Sequence, residues 1–142
     1  MDKSFIGGLV TGEGSFLLAV HKQRADKIRI KPAFYMQMDD GATMQAVGQY
    51  LKDEGHGIYM HHRPERGCWT IQVNGYQRVK RFTEDISPYL TGTKKKAAEI
   101  VMEFIDSRLS KPQHLPYEES EKDLVRKLRS VNGNRNGRKN PL

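Results

Sequence analysis

The chain has 142 residues, of which 24 are lysine or arginine and 17 are aspartate or glutamate, giving a formal net charge of +7. This length suits one ordinary domain, and a compact domain with such an excess of positive charge is expected to bind a polyanion such as nucleic acid. No apolar run approaches the ~20 residues of a membrane-spanning helix, and the N-terminus lacks the apolar core of a signal peptide, so we expect no membrane partner. The single cysteine, Cys68, excludes an internal disulfide and a cysteine-rich zinc site, and suits a reducing intracellular compartment.

Hydrophobic periodicity predicts four strands and five helices. Stretches in which apolar and polar side chains alternate are predicted as strands, and stretches with an apolar stripe at helical spacing as helices. Strands with one polar, basic face and one apolar face form a sheet packed on helices, so the predicted fold class is α+β. In chain order the predicted elements are a helix over residues 4–12, strands over 15–24 and 28–38 (Pro32 indicating an edge or a bulge), a helix over 42–52, a hairpin of strands over 58–63 and 68–74, and helices over 76–86, 94–109 and 118–129.

The C-terminal residues differ in composition from the rest of the chain. Pro112 and Pro116 interrupt the chain before the last predicted helix, and from Asn132 onward it is rich in Asn, Gly, Arg and Lys, which is typical of a segment disordered in isolation. We therefore divide the chain into a core over residues 1–110 and a C-terminal part over residues 111–142, consisting of a helix and a basic tail.

The N-terminal helix carries the most specific signal. It reads Ile6-Gly7-Gly8-Leu9-Val10-Thr11-Gly12-Glu13-Gly14, followed by Ser15-Phe16, and resembles the LAGLIDADG motif of homing endonucleases in its common Gly-Glu-Gly-Ser-Phe ending. The predicted order α-β-β-α-β-β-α over residues 4–108 is similar to that of the same family. The resemblance implies a curved four-stranded antiparallel DNA-binding sheet backed by helices. Thr11 departs from the family pattern, which often has an acidic residue there.

The resemblance also implies an activity. Members of this family include intron-encoded enzymes that hydrolyse both strands of a long, pseudo-palindromic double-stranded DNA site, with Mg²⁺ or Mn²⁺ as cofactor. The motif occurs once, which in this family implies a homodimer. A second interpretation stays open: a non-cleaving nucleic-acid binder, either an intron RNA maturase or a degenerate DNA-binding descendant.

Small residues recur along the N-terminal helix. Gly7, Gly8, Thr11 and Gly12 follow one another at short helical spacings, and small residues on one helix face let two helices approach closely. We therefore place Gly7, Gly8 and Thr11 at the two-fold interface of a homodimer. The alternative is a glycine-rich helix packed inside one chain.

Glu13 is the predicted catalytic acid and metal ligand. It lies at the C-terminal end of the helix, where the macrodipole disfavours a carboxylate, and in a symmetric dimer two such carboxylates would also repel each other. A divalent cation would relieve both problems, because Mg²⁺ prefers oxygen ligands and can bridge carboxylates and phosphate. The resemblance implies the backbone carbonyl of Gly12 as a further ligand. The alternative is a solvated glutamate in a loop.

Two further catalytic residues are predicted. Lys94, Lys95 and Lys96 lie in the first turn of a helix, where positive charge is unfavourable unless a phosphate is near. The resemblance implies a basic residue here that polarises the scissile phosphate or the attacking water, and we choose Lys94; a solvated lysine patch is the alternative. It also implies a solvent-positioning polar residue past the second strand. We choose Asp40, with Asp39 and a purely N-capping role for Asp40 as alternatives.

The outward face of the predicted strands suits base recognition. Arg and Lys can contact guanine, Gln can bond adenine and Thr can contact a thymine methyl group, while basic side chains at the rim bind phosphates. The alternative for any one of these positions is a solvated strand residue. The predicted DNA-binding residues are His21, Gln23, Arg24, Arg29, Lys31, Tyr35, Gln37, Tyr59, His61, Arg63, Arg66, Thr70 and Gln72.

Overall fold

A computed structural model describes residues 1–24, 27–133 and 142; the tail predicted from Asn132 onward falls largely on residues 134–141, outside the described residues. Single turns of 3₁₀ helix lie at Pro64–Arg66 and at Ser87–Tyr89. The helices and strands are α1 (Lys3–Glu13), β1 (Gly14–Lys22), β2 (Ile28–Met38), α2 (Gly41–Asp53), β3 (Tyr59–Arg63), β4 (Cys68–Asn74), α3 (Tyr76–Ile86), α4 (Gly92–Leu109) and α5 (Glu119–Val131).

The four strands form an antiparallel sheet in the order β1-β2-β4-β3, which confirms the predicted α+β class. β1 pairs with β2 from Gly14 opposite Met36 to Lys22 opposite Ile28, whereas β4 pairs with β2 only as far as Ala33. Pro32 lies just past that last pair, where its missing N–H interrupts no ladder with β4. This agrees with the edge position predicted for it.

The inner face of the sheet packs on the helices around an aromatic centre. Phe16 of β1, Phe34 of β2 and Phe82 of α3 are fully buried, with ring centroids 5.1 Å apart for the first pair and 4.5 Å for Phe34 and Phe82. Val125 and Leu128 of α5 belong to the same core. Burying such side chains stabilises the fold by roughly 1.5–3 kcal/mol each, so α5 shares the hydrophobic core of the residues before it.

Two tyrosines cover the edge of β2 that β4 leaves free. The hydroxyl of Tyr76 donates a hydrogen bond to the carbonyl of Ile30 at 2.8 Å, and the N–H of Ile30 donates to the hydroxyl oxygen of Tyr117 at 2.8 Å. Unpaired strand edges tend to recruit other chains. The connection between α4 and α5, which carries Tyr117, is thereby tied to the sheet.

Within the described ranges, no helix combines the length and the apolar character needed to cross a bilayer.

Candidate catalytic edge and nucleic-acid interface

The predicted motif ends in a direct junction between helix and strand. α1 includes Glu13 and β1 begins at Gly14 with no loop between them, so the helix passes directly into the strand. A Cβ atom at position 14 would lie 2.8 Å from a ring carbon of Phe34 and 2.8 Å from the carbonyl oxygen of Val10. Only glycine fits there, and this close packing places Glu13 at the edge of the sheet.

Glu13 is exposed at that edge. Its carboxylate forms no hydrogen bond or ion pair with any of the described residues. The carbonyl of Gly12 belongs to the last turn of α1, whose carbonyl groups have no partner inside a helix. A negative side chain beside these carbonyls raises the electrostatic energy unless a cation binds. The junction therefore offers unsatisfied oxygen donors to the solvent.

The N-terminal end of α4 is bonded to this junction. The ammonium group of Lys94 donates to the carbonyl oxygen of Gly14, and the N–H of Thr91 donates to the hydroxyl oxygen of Thr11 at 3.4 Å. Both contacts join positions 80 residues apart in the chain. Lys94 is thus the lysine, among the three at positions 94–96, that reaches the end of α1, while Lys95 and Lys96 are exposed.

Asp40 lies at the same edge, because β2 ends at Met38, beyond the residue that faces Gly14. It is the N-cap of α2: one carboxylate oxygen accepts from the N–H of Thr43 at 3.0 Å and the other from the Thr43 hydroxyl at 2.6 Å. These hydrogen bonds hold the pKa of Asp40 below its ordinary value. The N-cap alternative thus describes the observed bonds, and a role in positioning solvent stays a prediction.

The donors at the junction fit part of a divalent cation site. They are carboxylate and carbonyl oxygens, the ligands that Mg²⁺ and Mn²⁺ accept. In the part of the chain that the structure describes, no three His, Cys, Asp or Glu side chains come close enough to hold a metal ion. The described residues of one chain therefore supply only part of the ligand set that such a cation prefers.

The face of the sheet directed away from the helices, here called the outer face, carries polar and basic side chains in register. Tyr35 lies between Ser15 and Gln72, and Gln72 in turn faces Tyr59, so that one row crosses all four strands. The strands contain four lysine or arginine residues and no aspartate or glutamate, and three of the four, Arg29, Lys31 and Arg63, lie on the outer face, whereas Lys22 has the register of the inner face. The outer face is thus positively charged and free of carboxylates from its own strands.

The predicted DNA-binding residues are placed mostly as expected. Gln23, Arg24 and Arg66 lie in exposed turns at the ends of the strands. Thr70 differs: it is only 4% exposed, because its register partners Gln37 and His61 flank it. Its hydroxyl is therefore not open to a ligand on this face. The other predicted residues, all exposed or partly exposed on the outer face, are His21, Arg29, Lys31, Tyr35, Gln37, Tyr59, His61, Arg63 and Gln72.

Contacts between neighbouring side chains order part of the outer face. The guanidinium of Arg63 donates to Nε2 of His61 at 3.2 Å, and the His61 ring lies 5.4 Å from that of Tyr59. The amide of Gln37 donates to the sulfur of Cys68 at 3.2 Å. Cys68 is buried and free. These contacts limit the rotamers that the side chains sample, which lowers the entropic cost of binding.

The predicted interface residues of α1 do not share one face. A Cβ atom at position 7 would lie 2.3 Å from Cβ of Tyr89, so Gly7 packs inside the chain, and Thr11 accepts its hydrogen bond from Thr91. A Cβ at position 8 or 12 would meet no atom within 4 Å. The open face of α1 therefore contains Gly8 and Gly12 together with Phe5, which is 47% exposed. Gly7 and Thr11 lie away from it, because the 3₁₀ turn and α4 cover their side of the helix.

Some site features were missed at the sequence level. Ser15, Leu17 and Ala19 lie on the outer face as the alternation of β1 requires, although they are absent from the predicted set. The strand periodicity could have found them. Phe5 could have been found from its spacing of three residues from Gly8.

The fold is that of LAGLIDADG homing endonucleases. The archaeal intron-encoded homing endonuclease I-Vdi141I, complexed with DNA, superposes with a TM-score of 0.73 at 16% identity, over 91% of this chain and 82% of that one. The homing endonuclease I-CvuI, in complex with its target in the presence of calcium, gives a TM-score of 0.71 at 16% identity, over 91% and 80%. These likenesses confirm the predicted architecture.

A third solved structure has a different length. The LAGLIDADG homing endonuclease I-GzeII, in complex with a DNA target, superposes with a TM-score of 0.67 at 20% identity, over 92% of this chain but 43% of the longer one. This chain therefore spans about four-fifths of the length of I-Vdi141I and I-CvuI and under half of the length of I-GzeII. No protein-family model and no curated protein sequence matches it.

Proposed function

We propose that this protein is a metal-dependent, site-specific homing endonuclease that acts as a homodimer on double-stranded DNA. The observation that carries the proposal is Glu13: its carboxylate is exposed, has no partner among the described residues, and lies at the end of α1 directly before β1, the first strand of a basic outer face. The shared fold with I-CvuI and I-Vdi141I, both solved with DNA, supports it. The core proposed for this activity is residues 1–110, with residues 111–142 as an accessory part.

The outer face is proposed to bind the major groove. A curved sheet fits that groove, and its mixture of Arg, Lys, Gln, His and Tyr side chains can bond base edges, while Arg24 and Arg66 in the turns suit phosphates. Thr70 contributes to this surface only through its packing under Gln37 and His61. The row formed by Tyr35, Gln72 and Tyr59 spans the width of the sheet and so is proposed to contact successive bases.

The dimer is proposed to form through the open face of α1. Gly8 and Gly12 are four residues apart and leave room for a second helix to approach, and Phe5 adds exposed apolar surface. Two-fold symmetry would bring the two Glu13 carboxylates and the two Gly12 carbonyls to one place between the two sheets. Gly7 and Thr11 support this arrangement from inside each chain.

The sheet edge that carries Gly12, Glu13, Asp40 and Lys94 is proposed to hydrolyse one phosphodiester bond in each DNA strand. Mg²⁺ or Mn²⁺ held by Glu13 and Gly12 would activate water and stabilise charge on the phosphate. Lys94 donates a hydrogen bond to the Gly14 carbonyl, and this supports its proposed role of directing positive charge at the scissile phosphate. Asp40 is proposed to position solvent at the same edge. Because α1 continues directly into β1, the metal ligands Glu13 and Gly12 would stay in a fixed position relative to DNA bound on the outer face.

The experiment is a cleavage selection. Purified protein with Mg²⁺ is incubated with a plasmid library of randomised pseudo-palindromic sites, alongside the Glu13→Gln variant. We expect discrete double-strand breaks at one family of sites for the wild-type protein and none for the variant, which should bind the same DNA with unchanged affinity. Cleavage that survives Glu13→Gln would refute the assigned acid.

A second candidate function is a non-cleaving binder of intron RNA or DNA. The same basic outer face, with no carboxylate in its strands, favours any nucleic acid. Salt-sensitive binding without cleavage, and competition by structured RNA stronger than by duplex DNA, would favour this candidate.

The variant Gly8→Leu tests the proposed dimer. It should produce monomers in analytical ultracentrifugation, because a leucine on the open face of α1 keeps two helices apart.

A further inference from the structure

Besides the outer face, a positively charged cleft lies at the end of the sheet opposite the junction of α1 and β1. It is formed between the described residues next to the β1–β2 turn, Gln23 and Lys27 to Arg29, and the connection of α4 to α5, and is called here the hairpin cleft. It encloses about 680 Å³. Gln23, Lys27 and Arg29 line one wall, and Gln113, His114 and Lys122 contribute to the other.

The described lining of the hairpin cleft has basic groups and no acidic ones. None of the described residues that line it is an aspartate or glutamate, and Asp26 of the β1–β2 turn lies outside the described residues. The side chains of Lys27, Arg29 and Lys122 form no ion pair within the described ranges. The four acidic side chains at the start of α5, by contrast, are each paired with a basic partner: Glu118 with Lys111, Glu119 and Asp123 with Arg126, and Glu121 with Arg108, which also lines the cleft. Among the described residues, the positive charges of Lys27, Arg29 and Lys122 are therefore uncompensated, as expected of a site for an anion.

One wall of the cleft is held in place by a buried arginine. Arg108 is 5% exposed, its guanidinium carbon lies 4.3 Å from the centroid of the Tyr117 ring, and Tyr117 is itself bonded to β2. A loop without secondary structure would otherwise sample many conformations. The guanidinium of Arg108 also donates hydrogen bonds to three carbonyl groups of the connection, those of Gln113, Leu115 and Pro116. The wall is thus ordered before any ligand arrives.

The cleft continues the outer face. Arg29 lines the cleft and also faces His21 in the register of β1 and β2, on the outer side of the sheet. A duplex that lies along the outer face and extends past the β1–β2 turn would carry its backbone into the cleft. The phosphates of that backbone would meet Lys27, Arg29 and Lys122 at once.

We propose that the hairpin cleft binds the phosphate backbone of double-stranded DNA that flanks the base-contacting part of the site. This rests on the proposed function, because the duplex must first lie on the outer face. The contacts are sequence-independent and salt-sensitive, since phosphates carry charge but no base identity. The connection of α4 to α5 thereby becomes part of the DNA-binding surface.

The test measures the salt dependence of binding to a long duplex of random sequence. The variant Lys27→Gln/Lys122→Gln should reduce the slope of log affinity against log salt by about 0.9 for each lost phosphate contact, or about 1.8 in total. The matched control, Lys52→Gln/Lys80→Gln, removes the same charge from α2 and α3 on the helical side and should leave the slope near the wild-type value. Equal slopes for the two double variants would overturn the proposal.

A cross-link gives a second, independent measurement. His114→Cys, coupled to a photoactivated aryl azide, should cross-link to the duplex, whereas the same label at Glu99→Cys on the exposed side of α4 should not. Equal cross-linking from both positions, or stronger capture of duplex RNA than of DNA at position 114, would also overturn it. If the wild-type protein does not bind duplex DNA at all, the proposed function fails; if it binds and only these two tests fail, the cleft alone is refuted.

Discussion

Two glutamates of this protein lie in opposite environments. Glu121 is fully buried and accepts hydrogen bonds from the Ser107 hydroxyl at 2.9 Å, the Arg108 guanidinium at 3.2 Å and the N–H of Glu118 at 2.8 Å. Glu13 is exposed, and its carboxylate has no partner among the residues that the structure describes. A buried charge must be satisfied by the protein itself. Glu13 makes no comparable contact with the described residues, so stability does not account for its position at an unfavourable helix end, and this supports its proposed role as a metal ligand.

The largest expected effect is the loss of DNA cleavage in Glu13→Gln, which separates a role in activity from a role in stability. Glu13→Gln should lower the rate of DNA cleavage by at least about a thousandfold, because a bound metal ion contributes several kcal/mol to the barrier. The free energy of unfolding should change little, since no internal contact is lost. Single-turnover cleavage and urea denaturation of the same preparation measure both quantities. A large loss of stability would show that Glu13 has a structural partner after all.

Glu121→Gln should give the opposite result. It leaves the buried guanidinium of Arg108 without its counter-charge, which typically destabilises a protein by about 3–5 kcal/mol. Urea denaturation measures this change. The cleavage rate per folded molecule should stay at the wild-type value, and a selective loss of activity in the folded fraction would contradict the separation of the two regions.

Lys94→Met should lower the cleavage rate by about a hundredfold, because a positive group directed at the developing charge of the phosphate is lost. Lys95→Met, one residue along α4 and exposed, is the matched control and should cleave at the wild-type rate. Equal rates for both variants would restrict Lys94 to anchoring α4 on the carbonyl of Gly14.

Asp40 can be tested by two substitutions that differ in capping. Asp40→Ala should destabilise the protein by about 1 kcal/mol, whereas Asp40→Asn keeps a good N-cap and should stay within a few tenths of a kcal/mol. If Asp40 positions solvent, Asp40→Asn should still lower cleavage by about tenfold. Wild-type cleavage by this variant would leave Asp40 with its capping role alone.

The smallest effect concerns pH. Burial alone would raise the pKa of Glu121, but hydrogen bonds from Glu118, Ser107 and Arg108 outweigh it and hold the pKa below its ordinary value of 4.5. A carboxyl with a lowered folded-state pKa stabilises the protein fully above its unfolded pKa, and this contribution is lost as the pH falls through the folded pKa.

The difference in unfolding free energy between the wild-type protein and Glu121→Gln should therefore narrow as the pH falls below about 4.5. Urea denaturation at neutral and acidic pH measures it. A gap that is constant or widens towards low pH would mean that Glu121 is not ionised in the fold.

The sequence predicted more of the fold than of the contacts within it. Alternating side chains located every strand and the outer face, because period two follows from strand geometry. The contact of Gly7 with Tyr89 and the burial of Thr70 depend on residues far along the chain, which periodicity does not report. The pairing of Arg108 with Glu121 was missed for the same reason: in the sequence, each looks like any charged residue on a helix.

The helix–strand junction at Gly14 also fixes the distance between the proposed catalytic group and the proposed base-contacting surface. No hinge separates Glu13 from β1, so the distance along the DNA between the proposed cut and the first contacted base is set by a few covalent bonds and one packed glycine. Exchanging side chains on the outer face can change which bases are recognised, but it should not change the position of the proposed cleavage site relative to those bases. Retargeted descendants of this chain should therefore keep one cleavage offset, whatever sequence they recognise.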